Sequence, residues 1–188
     1  MKKLKSNTLK LIALFFISSL AFTGCSDDHD DEHDHGSEEE LITTVTYTLT
    51  NGNDIVTLKF TDLTGGSIND ATFEVSGPLT ANTTYIGSLE LLNETESPAE
   101  NITEEVKAEG DEHEFFFASN IAGITVEKTD MDGNGNPIGI ETSVRTGSAG
   151  SGTMTVVLKH EPTKPNNGTS TGAGGSTDVE VTFNISVQ

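Results

Sequence analysis

Val179-Glu180-Val181-Thr182-Phe183-Asn184-Ile185-Ser186-Val187 alternates strictly between apolar and polar residues. Side chains of a strand point to opposite faces with period two, so this run is a half-buried strand with one face on a core. The same period recurs upstream. Val45, Tyr47 and Leu49 alternate with Thr44, Thr46 and Thr48, and Val56, Leu58 and Phe60 alternate with Thr57 and Lys59. Asn51-Gly52-Asn53 between them is hairpin chemistry. Shorter runs suggest further strands at Phe73 and Val75, Thr83 to Leu92, Phe115 to Phe117, Ile124 and Val126, Ile138 to Thr146, and Met154 to Leu158. Only Ile102-Thr103-Glu104-Glu105-Val106-Lys107-Ala108 has helical spacing. Many short strands and no long amphipathic helix predict an all-β chain, an antiparallel β-sandwich that is immunoglobulin-like if topology follows the commonest plan. Pro162–Thr177, rich in Pro, Asn, Gly, Ser and Thr, reads as a long exposed loop before the last strand.

The N-terminus is of another kind. Lys2, Lys3, Lys5 and Lys10 precede an apolar run from Leu11 to Phe22, and the segment ends Ala21-Phe22-Thr23-Gly24-Cys25. A basic flank, a short apolar core and small residues make a secretory signal. The run falls short of the about 20 residues that span a bilayer. Gly24 before Cys25, the chain's single cysteine, is the lipobox pattern, although Phe22 stands where Leu, Val or Ile is usual. Lipidation of Cys25 also removes an otherwise unpaired thiol from an exported protein. The predicted organisation is a lipoprotein signal peptide (1–24), the lipidated Cys25 with a tether (25–40), and one β-sandwich domain (41–188). Several acyl chains, at about 0.8 kcal/mol per buried CH₂, anchor such a protein stably.

The tether is Ser26-Asp27-Asp28-His29-Asp30-Asp31-Glu32-His33-Asp34-His35-Gly36-Ser37-Glu38-Glu39-Glu40. With no apolar residue to bury, it is predicted to be disordered, with a reach of roughly 50 Å. Loss of the signal's lysines leaves six basic residues against thirty acidic ones, a formal charge of −24 on the mature chain. That charge excludes nucleic acid and favours cations.

Three constellations could carry chemistry. His29, His33 and His35 lie among Asp30 and Asp34, a set suited to zinc or copper; the alternative is a solvated export tether. Asp130, Asp132, Asn134, Asn136 and Glu141 stand at the ligand positions of a calcium-loop string, but strands and not helices flank it, and Pro137 sits where an aliphatic residue is usual. The alternative there is a hairpin loop using Asp, Asn and Gly as turn residues. His113, within Glu109-Gly110-Asp111-Glu112-His113-Glu114, and His160, before Glu161-Pro162, both border strands. If those strand ends meet, the pair and nearby carboxylates form a metal site; otherwise they are two loop-edge histidines. No nucleophile elbow, phosphate loop or HExxH string occurs, so no enzyme is expected and no catalytic residue is assigned.

Cys25-Ser26-Asp27-Asp28 resembles the start of Bacteroidota-type surface lipoproteins, where acidic residues after the lipidated cysteine direct export to the outer face of the outer membrane. The remainder resembles a family of small flavobacterial lipoproteins of unknown function. The resemblance runs through Glu38-Glu39-Glu40-Leu41-Ile42-Thr43, Leu79-Thr80-Ala81-Asn82-Thr83-Thr84-Tyr85, Ile102-Thr103-Glu104-Glu105, Asp111-Glu112-His113, Thr146-Gly147, His160-Glu161-Pro162 and Thr177-Asp178-Val179. Members carry the label "type 1 periplasmic binding fold superfamily", which implies alternating α/β domains; this chain has no such pattern. The expectation is an outer-membrane surface lipoprotein whose tail binds zinc or copper, as accessory to an outer-membrane receptor or transporter. The competing expectation is a protein- or glycan-binding adhesion module on a passive tether.

Overall fold

The computed structural model describes residues 40–64 and 70–188. The signal segment, Cys25 and the tail residues His29, Asp30, His33, Asp34 and His35 lie outside them. All described residues belong to one unit, Ser37–Gln188. Its elements are β1 (Thr44–Asn51), β2 (Asp54–Thr61), β3 (Thr72–Val75), β4 (Thr84–Asn93), β5 (Glu100–Asn101), α1 (Ile102–Ala108), β6 (His113–Ser119), β7 (Thr125–Lys128), β8 (Glu141–Arg145), β9 (Gly150–His160), α2 (Ser170–Ala173) and β10 (Ser176–Val187).

Two antiparallel sheets result. One has the order β3-β2-β1-β4-β8-β7, with β5 paired to β4; the other is β10-β9-β6. This is an all-β, sandwich-like fold, as the alternation predicts. Its division into seven and three strands differs from the four and three of a constant-type immunoglobulin domain. Nor do the described residues show the alternating α/β order that the family label implies.

The Asn51-Gly52 hairpin forms in the expected register, with Asn51 opposite Asp54 and Gly52 at φ 59°. A left-handed φ costs glycine least, so the turn sets the pairing of Val45 with Phe60 and Tyr47 with Leu58. These side chains meet Phe115, Met154, Val156, Leu158, Val181 and Phe183 from the second sheet in one core. Tyr47 sits fully buried in it, its hydroxyl 2.7 Å from Thr142 Oγ1. Gly87 on β4 leaves the room: a Cβ there would come within 2.4 Å of Thr142 Oγ1 and 2.8 Å of the Tyr47 hydroxyl.

The Phe run is the two-faced strand that its composition allows, and one segment departs from the sequence reading. Phe115 and Phe117 face the core, but Phe116 points outward and forms a second cluster with Val157 and Ala173. The segment after His160 is therefore not simply exposed. Pro162 and Ala173 are buried, α2 is capped by Thr169, and Ser176-Thr177 already belong to β10. It is a strap across the outer face of the three-stranded sheet. Apolar residues of β6 and β9 on the solvent side need a cover, and Ala173 packs on Phe116 and Val157 there.

Candidate metal centre

His113 opens β6 and His160 closes β9, and the antiparallel register sets them directly opposite. Parity puts both on the inner face, His113 in line with Phe115 and Phe117, His160 in line with Leu158 and Val156. They are the last rung of the core at one end of the second sheet. Their ring centroids are 4.7 Å apart. The strand ends do meet.

Two carboxylates complete the group. Asp178 comes from β10, where strict alternation would place it outside with Glu180. A β-bulge between Thr177 and Val179 shifts the register, leaving Asp178 as the extra residue. Bulges re-aim side chains, and here the Asp178 carboxylate is fully covered, 3.9 Å from both His113 Nε2 and His160 Nδ1. Glu40 arrives from the chain just ahead of β1, its side chain only 7% exposed, with Oε1 3.1 Å from His113 Nε2. One donor atom from each of Glu40, His113, His160 and Asp178 lies within 4.8 Å of all the others. Tetrahedral zinc, with bonds of about 2.0–2.2 Å, needs donor separations of about 3.4 Å. The observed 3.1 and 3.9 Å bracket that value.

Electrostatics sharpen the fit. His113 Nδ1 lies 3.2 Å from the Glu109 carbonyl. A carbonyl only accepts, so Nδ1 carries a proton and Nε2 is the nitrogen aimed at the carboxylates. Nε2 and Glu40 Oε2 are both buried, and neither has a well-directed hydrogen bond. Lone pairs facing carboxylate oxygens repel unless a cation lies between them, either a proton on Nε2 or a metal ion. In the metal-free protein a proton on Nε2 is the cation that the raised pKa favours. Burial works to lower the His113 pKa, but contact with Glu40, Glu109 O and Asp178 outweighs it and raises the value. Burial works to raise Glu40, and the His113 contact instead lowers it. His160 has a further carboxylate, Glu112 Oε2, 3.9 Å from its Nε2. Asp178 lies on one side of the ring and Glu112 on the other, each within ion-pair range and beyond hydrogen-bond reach.

A second acidic group adjoins the first. Glu105 on α1 and Glu109 at its C-cap converge with Glu40. Burial, then repulsion from Glu40, Glu109 and Glu100, raises the Glu105 pKa. These carboxylates add to the negative field on the approach to the four-residue centre.

The calcium-loop residues behave differently. Asp130 accepts from the backbone N–H groups of Gly139 (2.8 Å) and Ile140 (3.0 Å). Asp132 Oδ1 accepts from Asn134 and Asn136 N–H, both 2.8 Å. Asp132 Oδ2 lies 3.4 Å from Lys164 Nζ, and Glu141 accepts from Ser88 Oγ at 2.9 Å on the neighbouring strand. Asp130, Asp132 and Glu141 belong to neither of the converging groups found among the described residues. Asp130 and Asp132 act as turn carboxylates, and Lys164 supplies the loop's cation. That ammonium also binds the carbonyls of Gly110 (2.5 Å) and His113 (2.6 Å), tying the strap to the strand that carries a candidate ligand.

No protein-family model, curated protein or solved structure matches the chain. The centre is therefore read from its own geometry. Of its four residues, sequence reasoning had singled out His113 and His160. Asp178 is re-aimed by a bulge that the alternation hides, and Glu40 looks like one more acidic residue of the tether.

Proposed function

We propose that this protein is a lipid-anchored surface lipoprotein that holds one divalent transition-metal ion, zinc or copper, at Glu40, His113, His160 and Asp178. The observation that carries this reading is the convergence of two imidazoles and two carboxylates at one buried point, with His113 Nε2 directed into it. Two nitrogens and two oxygens are a borderline-soft set suited to zinc or copper rather than calcium or magnesium. All four coordination positions come from the protein, which fits holding an ion rather than activating a water, and no enzymatic activity is proposed. The four residues also fall within four of the segments on which the family resemblance rests.

Cys25, the signal ahead of it and the acidic residues behind it support anchoring at the outer membrane, with the domain facing the cell surface. Among the described residues no helix is long and apolar enough to cross a membrane. In this reading the tail histidines His29, His33 and His35 are a weaker capture site, and the domain hands metal to an outer-membrane receptor or transporter.

The test is calorimetric titration of zinc and of copper into three soluble chains spanning Ser26–Gln188. One is unaltered, one carries His113→Ala with His160→Ala, and one carries alanine at His29, His33 and His35. The expected result is one tight site in the first and third chains and none in the second. Tight binding that survives in the second chain and vanishes in the third would move the site to the tail. Should no chain bind metal, the adhesion reading takes over. Its surface would be sought where Ile55 (57% exposed) and Ile86 (69% exposed) flank Thr50 on the outer face of the large sheet.

A further inference from the structure

Glu114, next to His113 but on the opposite face of β6, is buried under the strap. Its two oxygens serve two different nitrogens. Oε1 accepts a short hydrogen bond from Lys128 Nζ at the end of β7, and Oε2 accepts from Asn166 Nδ2, in the strap, at 2.6 Å. The Lys128 ammonium also lies over the Phe116 ring, 4.1 Å from its centroid. Asn166 is held from both sides. Its Nδ2 donates to the Thr163 carbonyl (3.0 Å), and its Oδ1 accepts from Gly168 N–H (2.8 Å). Lys128, Glu114 and Asn166 line one cavity, with Pro137, Pro165 and Val126 among its walls.

A half-buried amine, a fixed carboxamide and a carboxylate bridging the two are the parts of an amide exchange. We propose that Lys128 and Asn166 form an intramolecular isopeptide bond, with Glu114 as the proton relay. Lys128 gives a proton to Glu114 Oε1, and the freed Nζ electron pair attacks Asn166 Cγ. The new N–C bond pushes charge onto Oδ1, where the Gly168 N–H stabilises it. Glu114 passes the proton to Nδ2, the Cγ–Nδ2 bond breaks, and a second proton from Nζ follows the same route. The nitrogen departs as ammonium. One amide replaces another, nothing is oxidised or reduced, and no co-reactant is needed.

Two features favour the step over a plain ion pair. Burial lowers the Lys128 pKa, with nearby Lys164 adding to the effect and Glu114 opposing it, so the neutral amine is more accessible than for a surface lysine. Both groups are also held against the same carboxylate by separate elements, β7 and the strap, so the reaction would be intramolecular. Lys164, the other lysine nearby, is engaged by the Gly110 and His113 carbonyls. The bond would fasten the edge of the large sheet to the strap that leaves His160.

The test is tandem mass spectrometry of a tryptic digest of the full chain isolated from its producing cells. The expected product is a branched peptide joining residues 108–145, uncut at Lys128, to residues 160–188, lighter than the two separate peptides by one ammonia. Loss of ammonia from the intact protein is not enough, because Asn134-Gly135 and Asn167-Gly168 can also shed it by forming succinimides. Linear peptides ending at Lys128 in full yield, from unaltered protein with a strand-rich circular dichroism spectrum, would overturn the proposal. Lys128→Arg should abolish the branched peptide and Glu114→Gln should reduce it at least tenfold; an undiminished yield in Glu114→Gln would remove Glu114 as the relay.

Discussion

Two regions of this domain look alike as sequence and differ as chemistry. The Asp130–Glu141 loop and the Glu40/His113/His160/Asp178 centre both gather carboxylates near a cation. In the loop Asp130 and Asp132 belong to one short segment and accept from N–H groups of that same segment, with Lys164 as counter-charge. In the centre they come from separate parts of the chain, and His113 Nε2 is left pointing at oxygens that cannot donate to it. Local turns satisfy their own polar groups, whereas His113 Nε2 and Glu40 Oε1 are brought face to face from separate segments.

The comparison is most directly broken by exchanging the outcomes of mutation. His113→Ala with His160→Ala should remove tight zinc binding, a loss of at least about a hundredfold. It should also abolish the zinc-induced rise in melting temperature. That rise is expected at roughly 5–10 °C, because zinc at a hundredfold excess over Kd adds about 2.7 kcal/mol. Asp130→Asn with Glu141→Gln should leave zinc affinity within about twofold. If the loop pair weakened zinc as much as the histidine pair, the distinction would fail. Both are read by calorimetry and thermal melts.

Lys164→Met probes the loop's internal cation. It leaves the Gly110 and His113 carbonyls without that donor and should lower stability by about 1–3 kcal/mol in urea unfolding. Its effect on zinc affinity should be smaller than that of either histidine. A stability change below about 0.5 kcal/mol would mean that solvent replaces the ammonium and the strap is held elsewhere.

The effect of pH is graded. Metal requires the lone pair of His113 Nε2, and the His113 pKa is raised. Zinc affinity should therefore grow by up to about tenfold per pH unit as pH climbs toward that raised value, then level off above it. In the metal-free protein the sign reverses. The stability that the charged His113 contributes is present below the unfolded histidine value and disappears as pH rises through the raised folded value. The Glu40 contribution is present above the ordinary carboxylate range and disappears as pH falls through its lowered value. Melting curves with chelator and with zinc across the pH range should diverge most on the alkaline side. Parallel curves would show that neither proton nor metal uses His113.

Much of the fold was legible because period two is a property of the strand itself. Thr44–Thr61 and Val179–Val187 each carry their own face assignment, and the Asn51-Gly52 turn carries its own register. The short helix was legible from Ile102 and Val106, both buried on α1. The strap was not, because Pro162–Thr177 has loop composition and its cover over Phe116 and Val157 depends on strands elsewhere. Half of the candidate centre was visible as two histidines at strand borders. Asp178 was hidden by the very alternation that made β10 readable, and Glu40 by the uniform acidity around it.

The sequence by itself determined a strongly acidic chain with strands enough for a sandwich, and its basic-then-apolar N-terminus and lipobox cysteine carry the expectation of export and anchoring. These follow from local composition and periodicity, which each segment carries alone. Only the tertiary structure decided that His113 and His160 face each other, that a one-residue bulge turns Asp178 inward, and that Glu40 closes the group. Strand register and bulge position are properties of pairs of strands, settled by the burial of residues far apart in sequence. No reading of one segment at a time contains them.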